Sequence, residues 1–251
     1  MLVLERVGVS HGGFVLELDS WQTASGQFHA LLGRNGAGKS TLLKLLAGEL
    51  SHRGHIRLHG VDLSDWHPLE RARHLAVMPQ ASRLDFGFTA AEVVALGATP
   101  LSLNWRQIRR EVRRTMEFVQ CSELADQSFV QLSGGEKQRV QLARCLLQLS
   151  QAEQTPLLLL DEPTSAQDLG QQHTLLSRIR GLCSQSGYGV VAVLHDLNHA
   201  LRYANVASLL DAGRLAGQAC PVELLTTDTV ERYWNYSAER VLSAGGNAAL
   251  L

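Results

Sequence analysis

Apolar and polar residues alternate over residues 2–9 and again over 14–18, with Gly12 and Gly13 between them. This period of two predicts an antiparallel hairpin belonging to a side sheet. Four later stretches, 29–32, 75–78, 157–160 and 190–194, are short runs almost free of polar residues, as in strands buried inside a parallel sheet. Three of them are followed by stretches with helical character, 41–47 (stopping at Gly48), 169–179 and 197–203. A further strand is expected over 55–59 and a hairpin over 206–215 around Asp211-Ala212-Gly213. Residues 221–234 read as helical, and the Ala- and Gly-rich stretch after Ser243 is weakly specified. Strands alternating with helices predict an open, mostly parallel α/β sheet, whose ligands bind beyond the carboxyl ends of its strands.

At residue 81 the pattern changes. Thr89-Ala90-Ala91-Glu92 has the layout of a capping box, and Trp105, Ile108, Val112, Met116 and Val119 repeat at helical spacing. The expectation is a single domain over 1–251. Residues 1–80 and 151–251 form the α/β core with its β side sheet and C-terminal extension, and 81–150 form an inserted helical subdomain. The doublets Arg109-Arg110 and Arg113-Arg114 fall off the apolar stripe and read as a solvated face.

The chain has 251 residues and is 45% hydrophobic, enough for a sizeable core. Its 23 Lys and Arg nearly balance its 24 Asp and Glu, which gives no reason to expect a nucleic acid or an acidic membrane surface as partner. Cys121, Cys145, Cys183 and Cys220 lie far apart without CxxC spacing, which suits reduced thiols that serve packing. No apolar run approaches the ~20 residues of a membrane helix, and the N-terminus has no signal-peptide layout. Work at a membrane would therefore require a partner.

One stretch carries the chemistry around which the rest is arranged. Gly33-Arg34-Asn35-Gly36-Ala37-Gly38-Lys39-Ser40-Thr41 fits the phosphate-loop pattern GxxxxGK[ST], between the run 29–32 and the helix after it. Its glycines let backbone N–H groups turn inward as an anion nest beside a helix N-terminus. Lys39 is expected on the β and γ phosphates and the Ser40 hydroxyl on Mg²⁺. The loop alone leaves kinases, GTPases and many ATPases open. Asp161, ending the run 157–160, is placed to bind Mg²⁺ directly or through water, and Glu162 beside it to polarise or deprotonate the attacking water. His195, ending the run 190–194, would hydrogen-bond the γ phosphate or hold the geometry of that water. Gln80 can offer its amide oxygen to Mg²⁺ or to water. In Leu132-Ser133-Gly134-Gly135-Glu136, the Ser133 hydroxyl, two bare glycines and a helix start near Gly135 form a second anion-binding surface.

With the LSGGE stretch beside the phosphate loop, the chain resembles the nucleotide-binding subunits of ABC transporters, over the whole span from the first strand to about residue 214. The resemblance implies a P-loop NTPase, with a RecA-like, mostly parallel sheet, an antiparallel β side sheet and an inserted helical subdomain. It makes Gln80 the Q-loop glutamine, Ser165-Ala166-Gln167-Asp168 the D-loop, with Asp168 a dimer contact, and His195 the switch histidine. Two copies would sandwich two ATP molecules, with Mg²⁺, each between the phosphate loop of one copy and Ser133, Gly134 and Gly135 of the other. The insert would pass the resulting motion to a permease. The pieces at 76–80, 92–97, 139–144, 155–156 and 194–198 are similar to ATPases of bacterial importers for haem, iron siderophores and cobalamin, the haem branch being nearest.

The partners so implied are a second copy, two permease subunits and, indirectly, a periplasmic substrate-binding protein. No nucleic acid and no direct haem contact are expected, and the location is the cytoplasmic face of a bacterial inner membrane. An exporter subunit or a non-transport ABC ATPase is the alternative; the long coiled-coil insertions and paired cassettes of the non-transport members are missing here, as is the NKxD element of a GTPase. Two departures stand out. The position that stacks an aromatic ring on adenine is matched by His11, with Phe14 as a substitute, and Gln167 replaces the usual leucine of the D-loop.

Overall fold

The computed structural model of the chain describes residues 1–11, 13–80, 87–242 and 248–251, with only the backbone at His11. In chain order the elements are β1 (Leu2–His11), β2 (Phe14–Thr23), β3 (Phe28–Leu32), α1 (Lys39–Leu46), β4 (Arg53–Leu58), β5 (Val61–Asp62), α2 (Pro68–His74), β6 (Leu75–Met78), α3 (Ala90–Ala95), α4 (Trp105–Phe118), α5 (Gly134–Gln148), β7 (Leu157–Asp161), α6 (Leu169–Ser186), β8 (Gly189–Val193), α7 (Leu197–Tyr203), β9 (Val206–Asp211), β10 (Arg214–Ala219), α8 (Pro221–Leu224), α9 (Thr227–Trp234), β11 (Arg240–Leu242) and β12 (Ala248–Leu250).

The apolar runs become the centre of a six-stranded sheet in the order β10-β9-β3-β8-β7-β6, in which β9, β3, β8, β7 and β6 are parallel and β10 turns back antiparallel on β9. The alternating segments form the antiparallel side sheet β2-β1-β4-β5. Side chains leave a strand on opposite faces, so each central strand feeds two cores. Leu158 and Leu160 of β7 join the core shared with α5, α6 and α7, whereas Leu157 and Leu159 join the one shared with α1 and the side sheet. All four leucines are fully buried, each stabilising the fold by roughly 2 kcal/mol on an area basis.

Between β6 and β7 the described elements are helical, and α3, α4 and α5 contribute Val93, Met116 and Val140 to a common core. Thr89 caps α3 in the expected box with Glu92, and Asn104 forms an unforeseen one with Gln107 at the start of α4. Several details differ from the sequence reading. Trp105, placed there on an apolar stripe, opens α4 with 66% of its surface exposed. Residues 221–234 are two helices, α8 and α9, because Leu225 and Thr226 interrupt them and Thr226 caps the second. Helix α6 runs seven residues past Ile179 and stops at Gly187, whose φ of 73° suits a helix end. Cys121, Cys145 and Cys183 are buried, but Cys220 is exposed ahead of α8 and is not a packing residue. Burial pushes the Cys121 and Cys183 thiols up to about 12, which keeps them protonated and unreactive. Among the described residues no helix is long and apolar enough to cross a membrane.

Candidate active site

Strands β3, β6, β7 and β8 run parallel, so the segments leaving their carboxyl ends gather on one edge of the sheet. These segments are the phosphate loop after β3, Pro79-Gln80 after β6, Asp161-Glu162 at the end of β7 and Leu194-His195 after β8. In the loop, Gly38 has φ of 104° and caps α1; a Cβ there would stand 2.8 Å from the Phe14 ring. At Gly33, φ is 143° and a Cβ would press within 2.3 Å of the Leu210 carbonyl oxygen. A Cβ on Gly36 meets nothing within 4 Å, so the outer side of the cradle is open. Arg34 O accepts from Ala37 N at 3.1 Å and Gly213 N donates to Ala37 O at 3.1 Å, tying the loop to the β9–β10 turn. The Lys39 ammonium, nearly buried, donates to Gly33 O at 2.7 Å and Arg34 O at 3.0 Å. Burial pulls its pKa down while the Glu162 and Asp161 carboxylates oppose that shift.

Glu162 occupies the left-handed region at φ of 52°, uncommon for a residue with a side chain. Its carbonyl accepts from Gln138 Nε2 at 3.2 Å and from Ser165 Oγ at 3.1 Å, and these bonds hold the turn. The carboxylate is bracketed: Gln80 Nε2 donates to Oε2 at 2.6 Å, and His195 Nε2 lies 2.5 Å from Oε1. Asp161 is bonded to Ser40, and burial raises its pKa against the effect of that bond. Its Oδ1 is buried with no hydrogen-bond partner. A buried carboxylate oxygen without a partner beside a serine hydroxyl fits a hard cation that keeps most of its other ligands from phosphates and water. Among the described residues no group of three or more His, Cys, Asp or Glu is arranged to hold a metal ion.

Helix α5 begins at Gly134, one residue earlier than expected, because Ser133 is its cap. Ser133 Oγ donates to Glu136 Oε2 at 2.6 Å and the Ser133 N–H donates to the same oxygen at 2.8 Å, which holds the Glu136 carboxyl below its usual range. The glycines also serve an intrachain purpose. A Cβ on Gly134 would stand 2.8 Å from Ala166 Cβ, and one on Gly135 would stand 2.8 Å from Ala166 O, so the first turn of α5 lies directly on residues 166–167. Asp168 caps α6 by accepting from Gln171 N at 2.9 Å, and both amide atoms of Gln167 are buried without partners.

Lys39, Ser40, Gln80, Asp161, Glu162 and His195 are thus brought into one network. Arg34, Asn35 and Thr41 lie within or just after the loop without a side-chain hydrogen bond among the described residues. No hydrogen bond joins Ser133, Gly134 or Gly135 to the loop of the same chain among those residues. The side chain of His11 lies outside the described residues. The Phe14 ring packs on Gly38 and Gly213, which makes it a prop under the loop. Sequence reasoning missed Gln138. Its position one turn into α5 follows from the helix start, but its reach to Glu162 O depends on tertiary packing.

The ABC transporter family pattern matches residues 16–165, about three-fifths of the chain. A hemin import ATP-binding protein, HmuV, of Shewanella denitrificans is 47% identical over 241 residues, covering 95% of each chain. Among solved structures, a metal-chelate type ABC transporter in an inward-facing conformation superposes with a TM-score of 0.82 at 24% identity, covering 100% of this chain and 97% of the other. A dimeric ATP-binding cassette in a post-hydrolysis state, bound to ADP and phosphate, superposes with a TM-score of 0.76 at 24% identity, covering 88% and 99%. With its phosphate loop, strand-end carboxylates and LSGGE helix on the shared fold, this chain belongs to the ABC transporter family.

Proposed function

We propose that the chain is the ATP-hydrolysing subunit of a hemin import complex and works as a pair of identical copies. The observation that carries the catalytic part is the Glu162 carboxylate, held between Gln80 and His195 beside Asp161 and the buried Lys39. In this reading the Gly33–Thr41 backbone cradles the phosphates of ATP. Lys39 turns from the carbonyls of Gly33 and Arg34 to the β and γ phosphate oxygens. Glu162 polarises the attacking water, His195 fixes the water or the γ phosphate, and Gln80 holds the Glu162 carboxylate from the other side. Ser40, Asp161 and Gln80 would hold Mg²⁺, which neutralises phosphate charge when bound.

Among the described residues Ser133, Gly134 and Gly135 have no hydrogen bond to their own loop, and they present the N-terminus of a 15-residue helix. They suit the γ phosphate held by a second copy, with Asp168 near the same interface. The dimeric neighbour bound to ADP and phosphate supports such a pairing at the level of fold. The helices between β6 and β7, taken as the inserted subdomain 81–150, would carry the closing motion to two permease subunits. Through that contact the pair would sit on the cytoplasmic face of the membrane, with a periplasmic binding protein as an indirect partner. The hemin assignment is supported by the relative named for hemin import; the ATPase itself has no need to touch hemin.

Glu162→Gln is expected to lower ATP turnover by about a hundredfold or more while nucleotide binding survives. Steady-state hydrolysis at the wild-type rate would overturn the assignment. For the cargo, the chain reconstituted with its permease should show ATP turnover stimulated by hemin-loaded binding protein, and stimulation by a cobalamin- or siderophore-loaded one in its place would reassign it.

A further inference from the structure

His195 has one direct polar contact among the described residues, the Glu162 carboxylate, and its side chain is 48% exposed. Its other constraint is the backbone, which passes within two residues into α7. That helix has seven residues, too few to be stable without support. Its far end is tied to α6 by His173 Nδ1 and Tyr203 OH at 2.7 Å. Its near end is capped by Asp196, which accepts from Asn198 N at 2.7 Å. The Asn198 side chain then reaches away from the site: Nδ2 donates to Leu250 O at 3.0 Å, and Oδ1 accepts from Leu250 N at 2.8 Å. An amide paired in both directions with one residue's backbone acts like a short strand added to β12. Leu250 is 8% exposed and belongs to the same core as Ala200 and Tyr203. Beyond it, Leu251 and Glu239 exchange backbone bonds at 2.9 and 3.0 Å, and β11 and β12 are paired.

We propose that Asn198 is a positioning residue through which the C-terminal hairpin β11–β12 fixes the first turn of α7 and so the placement of His195 against Glu162. This inference rests on the catalytic reading of His195 given above. The clamp acts on the segment that aims the imidazole, and α7 packs on the face of the sheet opposite α1, the helix that follows the phosphate loop. Loss of the clamp should therefore slow the chemical step and spare ATP binding. Misplacement of a reacting group by about an ångström costs up to a hundredfold in rate, and a loosened but still capped helix start should cost about tenfold.

The test is ATP turnover by the full chain in a double-mutant cycle of Asn198→Leu, similar in volume but without either hydrogen bond, and His195→Ala. Asn198→Leu alone is expected to lower kcat by about tenfold with KM for ATP within about twofold. In the His195→Ala background the same substitution should cost less than about twofold, because its effect passes through the imidazole. Removal of residues 239–251 should reproduce the kcat loss, and an unchanged KM in either variant shows that the chain has folded. Wild-type kcat in both Asn198→Leu and the truncation would overturn the proposal, as would an equal loss with and without His195. Full turnover by His195→Ala alone would overturn the catalytic reading of His195, and the clamp with it.

Discussion

Glu162 shows how much one residue can be asked to do. Its backbone sits at a positive φ that costs about 1 kcal/mol or more for a side-chain-bearing residue, and Gln138 and Ser165 offset that cost through its carbonyl. Gln138→Leu should therefore lower activity through the Glu162 turn, from a buried side chain bonded to the Glu162 carbonyl. We expect a kcat loss of about tenfold with little change in KM, checked by steady-state kinetics. A second residue, His29, gives a pH prediction. It is buried in β3, bonded to Ser208 Oγ at 2.8 Å, and burial lowers its pKa from 6.5 to about 3. Below pH 6.5 the unfolded chain takes up a proton that the folded chain refuses, so this residue's contribution is intact above 6.5 and is lost as pH falls toward about 3. The limiting slope is about 1.4 kcal/mol per pH unit. His29→Gln should flatten the acid limb of the unfolding free energy by about 1 kcal/mol per pH unit on average between pH 6.5 and 5, where the unfolded histidine goes from half to almost fully protonated, as read by denaturant titration. Identical slopes would contradict it.

At the scale of elements, local pattern and tertiary contact divide the molecule. The phosphate loop, the Asp161-Glu162 strand end and the start of α3 were legible in the sequence, because each is written within nine residues by fixed spacing or by a capping pair. The Ser133–Glu136 box follows the same S-x-x-E rule and could have been read directly. The last five residues of β2 could not. They extend because Trp21 packs on the His29 ring with centroids 4.8 Å apart and donates to Ser208 Oγ, 187 residues away. Asn198 reaching Leu250 and Gln138 reaching Glu162 are hidden for the same reason: a long-range contact leaves no periodicity. The contact between α5 and residues 166–167 yields a prediction of its own. Gly135→Ala drives a Cβ against the Ala166 carbonyl, so it should displace the D-loop and destabilise the chain by about 1–3 kcal/mol. Ser133→Ala, which removes only the cap, should cost about 1 kcal/mol. Thermal unfolding of both variants gives the order, and a less stable Ser133→Ala would contradict the packing account.

For the whole molecule, the parallel sheet gathers a phosphate loop, a carboxylate pair, a glutamine and a histidine at one edge, while among the described residues the LSGGE helix start serves its own chain through packing and capping. In the proposed reading the chain therefore holds half of a site that a second copy completes. Turnover should rise faster than linearly with subunit concentration until pairing saturates. The most direct test mixes two inactive variants, one with Lys39→Ala and an intact helix start, the other with Ser133→Arg and an intact loop. Mixed pairs then contain one site built from the sound loop of one copy and the sound helix start of the other. The mixture should hydrolyse ATP well above the sum of the separate variants, and a mixture no more active than that sum would show that the two copies do not share a site.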